Sequence, residues 1–359
     1  MSFCLYDHKK VLLLCIMIFV TGGTGFLGAH LLAKLAGEGI TVRALKRKNS
    51  STEYLKKILA KNNCSDFYNK IEWIEGDMLD YELLLESSKD ITHVIHAAAI
   101  VSFKKNDFNL VTNGNVNGTS NIVNAALSNN VKRFCHVSSI AALGGVENGN
   151  LIDENTEWRN NKENSAYSIA KYYSELQVWR GYSEGMESVI VNPSVIIGSG
   201  NWSSDISSLF TKVNEGLKYY TNGSTGFVDI IDVADIVTKL TLHSDVNGER
   251  FVINSENITY RDMLNMIAKS LNKELPKKEV GEKTLNLAHM LSVLGSFFNN
   301  NKSLISPDMA RIATSKLFYS NKKISDLLSY SFKPIQVTIN EMAIDFLEEV
   351  KHIDVNKKR

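Results

Sequence analysis

MIFVTGGTGFLG, residues 17–28, is the stretch on which the fold turns. Met17–Val20 reads as a short buried strand, and glycines at 22, 23, 25 and 28 separate it from an amphipathic stretch that runs from Phe26 to Ala36. The run satisfies Gly-x-Gly-x-x-Gly through Gly23, Gly25 and Gly28. It also satisfies Thr-Gly-x-x-Gly-x-x-Gly through Gly22, Gly25 and Gly28. Glycine at such positions permits a tight turn and close packing of helix on strand. It also lets a pyrophosphate approach the backbone at the positive end of the helix. The competing reading is a plain glycine-rich turn, and the strand and helix on either side weigh against it.

Upstream, His8-Lys9-Lys10 and the apolar run Val11–Val20 have the layout of a signal peptide's charged and hydrophobic regions. The run is shorter than the roughly 20 residues a helix needs to span a bilayer. Cleavage after it would also remove the strand that the glycine turn needs. Residues 1–16 are therefore expected to be an N-terminal extension, with residues 1–10 poorly ordered and dispensable and Met17 a candidate start. A noncleaved anchor is the other reading.

Downstream, the short apolar runs ITVRAL (40–45), IEWIEGD (71–77), THVIHAAA (92–99), RFCHVSS (133–139) and SVIVN (188–192) alternate with helical stretches. Those stretches lie near 51–61, just before the THVIHAAA run, near 115–128 and over 167–181. The alternation predicts an α/β fold: a doubly wound parallel (Rossmann) sheet with helices on both faces and a smaller, mostly helical C-terminal substrate domain. FVDIIDVADIV (227–237) reads as a return to the main sheet, with a helix opening near Asp232 and Asp232 as its cap. Residues 17–198 plus 227–253 are assigned to the dinucleotide-binding domain. Residues 199–226 plus 254–350 are assigned to a substrate-binding domain over the carboxyl ends of the strands, the edge at which open α/β sheets bind ligands. In the latter, 260–271 and 336–350 read as helices. Leu287, Leu291, Leu294 and Phe298 place an apolar stripe on a further helix over 284–298, near the pocket mouth.

The net charge of +1 gives no electrostatic case for nucleic acid or an acidic membrane surface. Cys4, Cys15, Cys64 and Cys135 lack pairing or metal-ligand spacing, which fits a reducing, cytoplasmic setting and argues against a metal site. No membrane contact is expected, and the protein should be a monomer or homodimer.

Two further features concern chemistry. The segment after the second strand, TVRALKRKNS (41–50), has no Asp or Glu to hold a ribose 2′-hydroxyl and carries Arg43, Lys46, Arg47 and Lys48 instead. An Arg can grip a 2′-phosphate that a carboxylate would repel, so the segment favours NADP, with NAD the alternative cofactor. A merely solvated basic loop is the bland reading. The second feature is Tyr167 and Lys171 in SAYSIAKYYSEL (165–176), which share one helix face at i and i+4. Spacing alone means little, because Tyr6/Lys10 and Tyr319/Lys323 repeat it without a chemical context.

Taken together and in order, these motifs resemble the extended short-chain dehydrogenase/reductases, of the NAD-dependent epimerase/dehydratase superfamily. The chain is most similar to their dihydroflavonol-4-reductase-like branch. The resemblance runs from about Met17 to the C-terminal helix and weakens after residue 256. It implies that the cofactor loop contributes Gly22, Thr24, Gly25, Phe26, Leu27 and Gly28, and that Arg47 contacts the 2′-phosphate. Asp77, beside Met78, would hold the adenine amino group. Ala97, Ala98 and Ala99, after His96, would lie along the nicotinamide ribose, with Asn115 in the central helix motif. Pro193 and Ser194, after Asn192, would sit beside the nicotinamide. Ser139, Tyr167 and Lys171 would be the catalytic set, with Glu175 behind them on the same helix. In that scheme Tyr167 protonates a substrate carbonyl oxygen that Ser139 holds. Lys171 lowers the Tyr pKa and binds the nicotinamide ribose, while Ser138 supports the strand end. Two departures appear. Ala170 stands where Ser is frequent. Ile140-Ala141 follows Ser139 where the 4,6-dehydratases carry an acidic residue, which argues against sugar dehydration. His93, His96 and His136 are expected to be packed or hydrogen-bonded rather than catalytic.

The expected function is therefore NADP-dependent reduction of a carbonyl, or oxidation of an alcohol, in a small organic molecule. A nucleotide-sugar epimerase that retains NAD is the alternative, and a catalytically silent dinucleotide-sensing protein ranks last.

Overall fold

The computed structural model describes residues 16–102, 107–144, 151–160, 164–202, 206–285 and 307–357. In chain order the first half comprises β1 (Met17–Thr21), α1 (Phe26–Gly37), β2 (Thr41–Lys46), α2 (Glu53–Lys61) and β3 (Glu72–Glu75). It continues with α3 (Tyr81–Ser87), β4 (His93–His96), α4 (Phe108–Ser128), β5 (Arg133–Val137), β6 (Leu151–Ile152), α5 (Ala166–Ser183) and β7 (Glu187–Pro193). The second half holds β8 (Val195–Ile197), α6 (Ser208–Asn214), β9 (Tyr219–Tyr220), β10 (Ser224–Asp229), α7 (Ile230–Leu242), β11 (Glu249–Ile253) and β12 (Glu256–Thr259). It closes with α8 (Tyr260–Ser270), β13 (Lys278–Glu279), α9 (Pro307–Thr314), β14 (Phe318–Tyr319), α10 (Lys322–Leu328) and α11 (Ile335–Lys357).

Seven strands form one parallel sheet in the order β11-β7-β5-β4-β1-β2-β3. The chain reverses its direction of travel across the sheet between β1 and β4, which makes the carboxyl ends of those strands a switch point where a ligand can enter. The strands read as continuous apolar runs because both faces are covered. Val20, Val42, Ile95, Cys135 and Val191 pack with Leu31 and Leu35 of α1 and Ile236 of α7. The alternate residues Phe19, Val94, Phe134 and Ile190 pack with Ile122 of α4 and Val178 of α5.

Three sequence expectations change here. The 227–229 run does not return to the main sheet. As the end of β10 it pairs with β8 and β12 in a separate three-stranded sheet, and the seventh main strand is Glu249–Ile253. An apolar run announces burial but not which sheet it joins. Phe227 is buried in a second core with Trp202, Phe210, Met263 and Phe346. The helix that follows opens at Ile230 and not near Asp232, because Asp229 is its cap, accepting from the Ile231 amide at 2.6 Å. Asp232 instead accepts from the Tyr330 hydroxyl at 3.0 Å and the Lys333 amide at 2.9 Å. Helix α4 starts at Phe108, a turn or more ahead of the expected 115. The expectations for residues 1–15 and for the apolar stripe beyond Leu285 fall outside the described residues.

Candidate active site

Two glycines of the turn after β1 stand where no side chain fits. Gly22 has φ of +80°, and a Cβ there would lie 2.7 Å from the Ala98 amide nitrogen; one on Gly28 would overlap the Gly22 carbonyl. The Gly25 amide donates to Gly22 O at 2.9 Å, and Gly25 then caps α1 without a side chain. The first amides of α1, at Phe26, Leu27 and Gly28, are thus left to an outside acceptor, as an anion-binding helix start requires. Thr24 flanks them, partly exposed. Thr21 ties the neighbouring strand end in place: its carbonyl accepts from Ala97 N at 3.2 Å and its hydroxyl from Ala98 N at 3.3 Å. Ala99 is exposed beyond them. The side chain of Asn115 is fully engaged by the Ile100 backbone, at 2.7 and 2.9 Å, so it shapes this strand end from behind.

A cleft of about 650 Å³ opens beside the turn, lined by Arg47, Lys48, Asn49, Ser50, Glu75, Gly76 and Asp77. The four basic residues singled out in the sequence divide here. Arg43 pairs with Glu72 at 3.0 Å and donates to two backbone carbonyls, and Lys46 pairs with Glu75 at 3.1 Å. Arg47 is exposed, with no side-chain partner among the described residues. Asp77 accepts from the Leu79 amide at 2.9 Å and keeps an exposed position on the cleft wall. Met78 packs on Gly118 of α4.

At the carboxyl end of β5, Ser139 caps a short helical turn, its hydroxyl accepting from Ala141 N at 3.1 Å. Tyr167 stands opposite in the first turn of α5, which Ser165 caps by accepting from Ser168 N at 3.1 Å. The Ser139 side chain lies beside the Tyr167 phenol and favours its charged form. One turn further on, the buried Lys171 ammonium donates to Val137 O at 2.9 Å and lies 6.0 Å from the Tyr167 ring centroid. Burial brings Lys171 down to about 8, with Glu175 acting the other way. Burial also pushes the Tyr167 phenol up, against a smaller downward pull from the Ser139 side chain. The expected depression of the Tyr167 pKa by Lys171 is therefore not what this site shows: burial raises the phenol, and what opposes it is Ser139. Pro193 and Ser194 flank the same strand edge, with Ser194 N donating to Ile253 O at 2.9 Å.

The histidines are packed. His96 is wholly buried, its Nδ1 2.7 Å from the Thr21 hydroxyl and its Nε2 3.0 Å from that of Thr119. His136 stacks on it with ring centroids 5.0 Å apart, and burial drives both far down. Arg250 escaped the sequence reading. It reaches back from β11 to Glu175 at 3.3 Å and to Glu154 O at 2.9 and 2.6 Å. Its signal was a charge, beside Glu249, opening the apolar FVI of a strand. Among the described residues no cluster of three or more His, Cys, Asp or Glu could hold a metal, and no helix is long and apolar enough to cross a membrane.

A glycine turn, a cleft lined by Arg47, Lys48, Glu75 and Asp77, and the residues Ser139, Tyr167 and Lys171 thus share one sheet edge. The sequence model of the NAD dependent epimerase/dehydratase family matches residues 18–254. The chain belongs to that family. Among curated relatives in the family's wider circle, a protein named "Putative dihydroflavonol 4-reductase" from Synechocystis sp. is 30% identical over 271 residues, covering 73% of this chain and 74% of that protein. Cinnamoyl-CoA reductase 1 of Petunia hybrida is 23% identical over 354 residues, 94% of each chain. Among solved structures, UDP-glucose 4-epimerase of Thermotoga maritima with UDP-glucose superposes with a TM-score of 0.74 at 17% identity, covering 93% of this chain and 100% of that one. The dTDP-glucose 4,6-dehydratase of Streptomyces venezuelae, with NAD and TYD bound, gives 0.73 at 18%, covering 93% and 97%. At those identities the structural likeness speaks for the fold. As a member of this family, the chain is an NAD(P)-dependent enzyme of the extended short-chain dehydrogenase/reductase type.

Proposed function

We propose that the protein is an NADP-dependent oxidoreductase that reduces a carbonyl of a small organic molecule. The observation that carries the reading is the placement of Ser139 beside the Tyr167 phenol, with the Lys171 ammonium one turn behind it, at the sheet edge where the glycine turn opens. The reductase names among the relatives support it. The residues present fit a dinucleotide: a turn whose Gly22 and Gly28 leave no room for a Cβ, the first amides of α1, and the exposed Arg47 guanidinium at a cleft of suitable size. When bound, the nicotinamide supplies the hydride. Tyr167 stays protonated because burial disfavours its phenolate, so it can donate a proton to the substrate oxygen. Ser139 orients that oxygen through its hydroxyl. Lys171 presents a positive charge beneath the phenol and stabilises the phenolate that proton donation leaves. Arg47 would hold the 2′-phosphate and Asp77 the adenine.

Thermal unfolding of the full chain with NADPH, NADH and NAD⁺ tests the cofactor, since a ligand of the native state raises the midpoint. NADPH should give the largest rise, and NADPH absorbance should then fall on adding members of an aldehyde and ketone panel. Protein that carries tightly held NAD as purified and interconverts UDP-glucose with its 4-epimer, without net use of NADPH, would overturn the reductase in favour of the epimerase.

A further inference from the structure

Behind the Ser139–Tyr167–Lys171 set lies a polar chain in the interior. Glu175 is four residues past Lys171 on α5 and only 1% exposed. The Asn192 amide, on β7, donates both to Glu175 Oε1 at 2.5 Å and to Ser139 O at 2.9 Å. The Arg250 guanidinium, on β11, meets Glu175 Oε2 at 3.3 Å and reaches the loop before α5 through Glu154 O and, at 3.4 Å, Thr156 O. Glu154 in turn accepts from Val252 N at 2.8 Å. One carboxylate therefore joins the serine-bearing strand end, the tyrosine helix, two sheet strands and the loop that leads into that helix.

We propose that Glu175 is the positioning residue of the site: its carboxylate clamps the Ser139 backbone to helix α5 through Asn192 and sets a fixed negative charge opposite the buried Lys171 ammonium. The inference rests on the Ser–Tyr–Lys reading above. A buried carboxylate is costly unless paired and hydrogen-bonded, and here both oxygens are engaged. Burial pushes Glu175 up while Ser138, Arg250 and Asn192 pull it down. On the Lys171 side the facing groups are Tyr167 and Glu175 from α5, Val137 O and His136 from β5, and His96 from β4. Both imidazoles are neutral near pH 7, and the carboxylate among these groups is Glu175, which the Arg250 guanidinium pairs at 3.3 Å. Removing that charge leaves burial unopposed. Lys171 then loses its proton at lower pH, and the alkaline limb of turnover moves the same way.

The test is NMR of the full chain containing carbon-13-labelled lysine, with the Lys171 Cε signal assigned by its loss in Lys171→Met. The wild-type midpoint should lie near 8. In Glu175→Gln it should fall by about one unit or more, as expected for loss of a nearby opposite charge. Glu175→Asp, which restores the charge on a shorter arm, should recover part of the fall. If the unpaired Arg250 keeps Glu175→Gln from folding, Glu175→Gln/Arg250→Met replaces the pair with neutral groups and should also lower the midpoint. An unchanged Lys171 midpoint in the folded variant overturns the inference, as does an equal fall in Glu175→Asp and Glu175→Gln. Because this readout needs no substrate, it stands or falls separately from the reductase reading, which turnover of Tyr167→Phe decides.

Discussion

Burial acts in opposite directions on Tyr167 and Lys171, keeping the phenol protonated while making the ammonium easier to discharge. The pair was legible as a motif, but the sign of the tyrosine shift was not, since it depends on desolvation that only the packed site reveals. Arg47 is a simpler case. Of the basic residues after β2, Arg43 and Lys46 are already spent on Glu72 and Glu75, whereas Arg47 and Lys48 border the cleft. A charge-assisted phosphate–Arg contact contributes on the order of 1.5–3 kcal/mol, or roughly 10- to 100-fold in affinity. Arg47→Ala should therefore weaken NADPH by that factor in calorimetric titration and leave NADH nearly unchanged. Added salt should narrow the wild-type preference. Equal affinity for both cofactors in the wild type, unaltered by the substitution, would reduce the basic segment to a solvated loop.

At the level of elements, the glycine turn shows how one sequence motif fixes a whole local structure. Gly28 packs α1 onto the turn so closely that a methyl group would meet the Gly22 backbone, while Gly37 at the other end of the helix has nothing within 4 Å of its Cβ position. The two alanine substitutions should part company in urea unfolding and in NADPH titration. Gly28→Ala should destabilise the fold and lose cofactor affinity. Gly37→Ala should be neutral or stabilising by up to about 1 kcal/mol, without touching the cofactor. Similar losses in both would mean that the turn is not the constraint described. Strand identity was less legible than helix placement. The sequence singled out the run at 227–229 and not that at 249–253, yet it is the latter, β11, that joins the main sheet. What separates them is the tertiary partner: Phe227 belongs to the second core, and a Cβ at Gly226 would run into the Asn254 side chain.

Across the whole molecule, the sheet order, the switch point and the edge that carries the site follow from a strand–helix rhythm that is plain in the first half of the chain. The rest depends on contacts between residues far apart in sequence. Arg250 lies 75 positions from the Glu175 it pairs with. The C-terminal helix α11 returns to α2 and to Ser199: Asp345 meets Lys61 at 2.8 Å and Ser199 at 2.5 Å, and Glu349 meets Lys57 at 3.1 Å. Nothing in the local pattern of either partner announces such pairs. The sequence motifs concentrate on the glycine turn and on the proposed proton donor, Tyr167. The most direct measurement is accordingly made on that donor, with Tyr167→Phe assayed for NADPH affinity and for turnover of whichever panel carbonyl the wild type reduces. The phenol's proton is needed only in the chemical step, so the dissociation constant for NADPH should stay within about twofold while turnover falls by at least about 100-fold. Turnover near the wild-type rate in Tyr167→Phe would contradict the account.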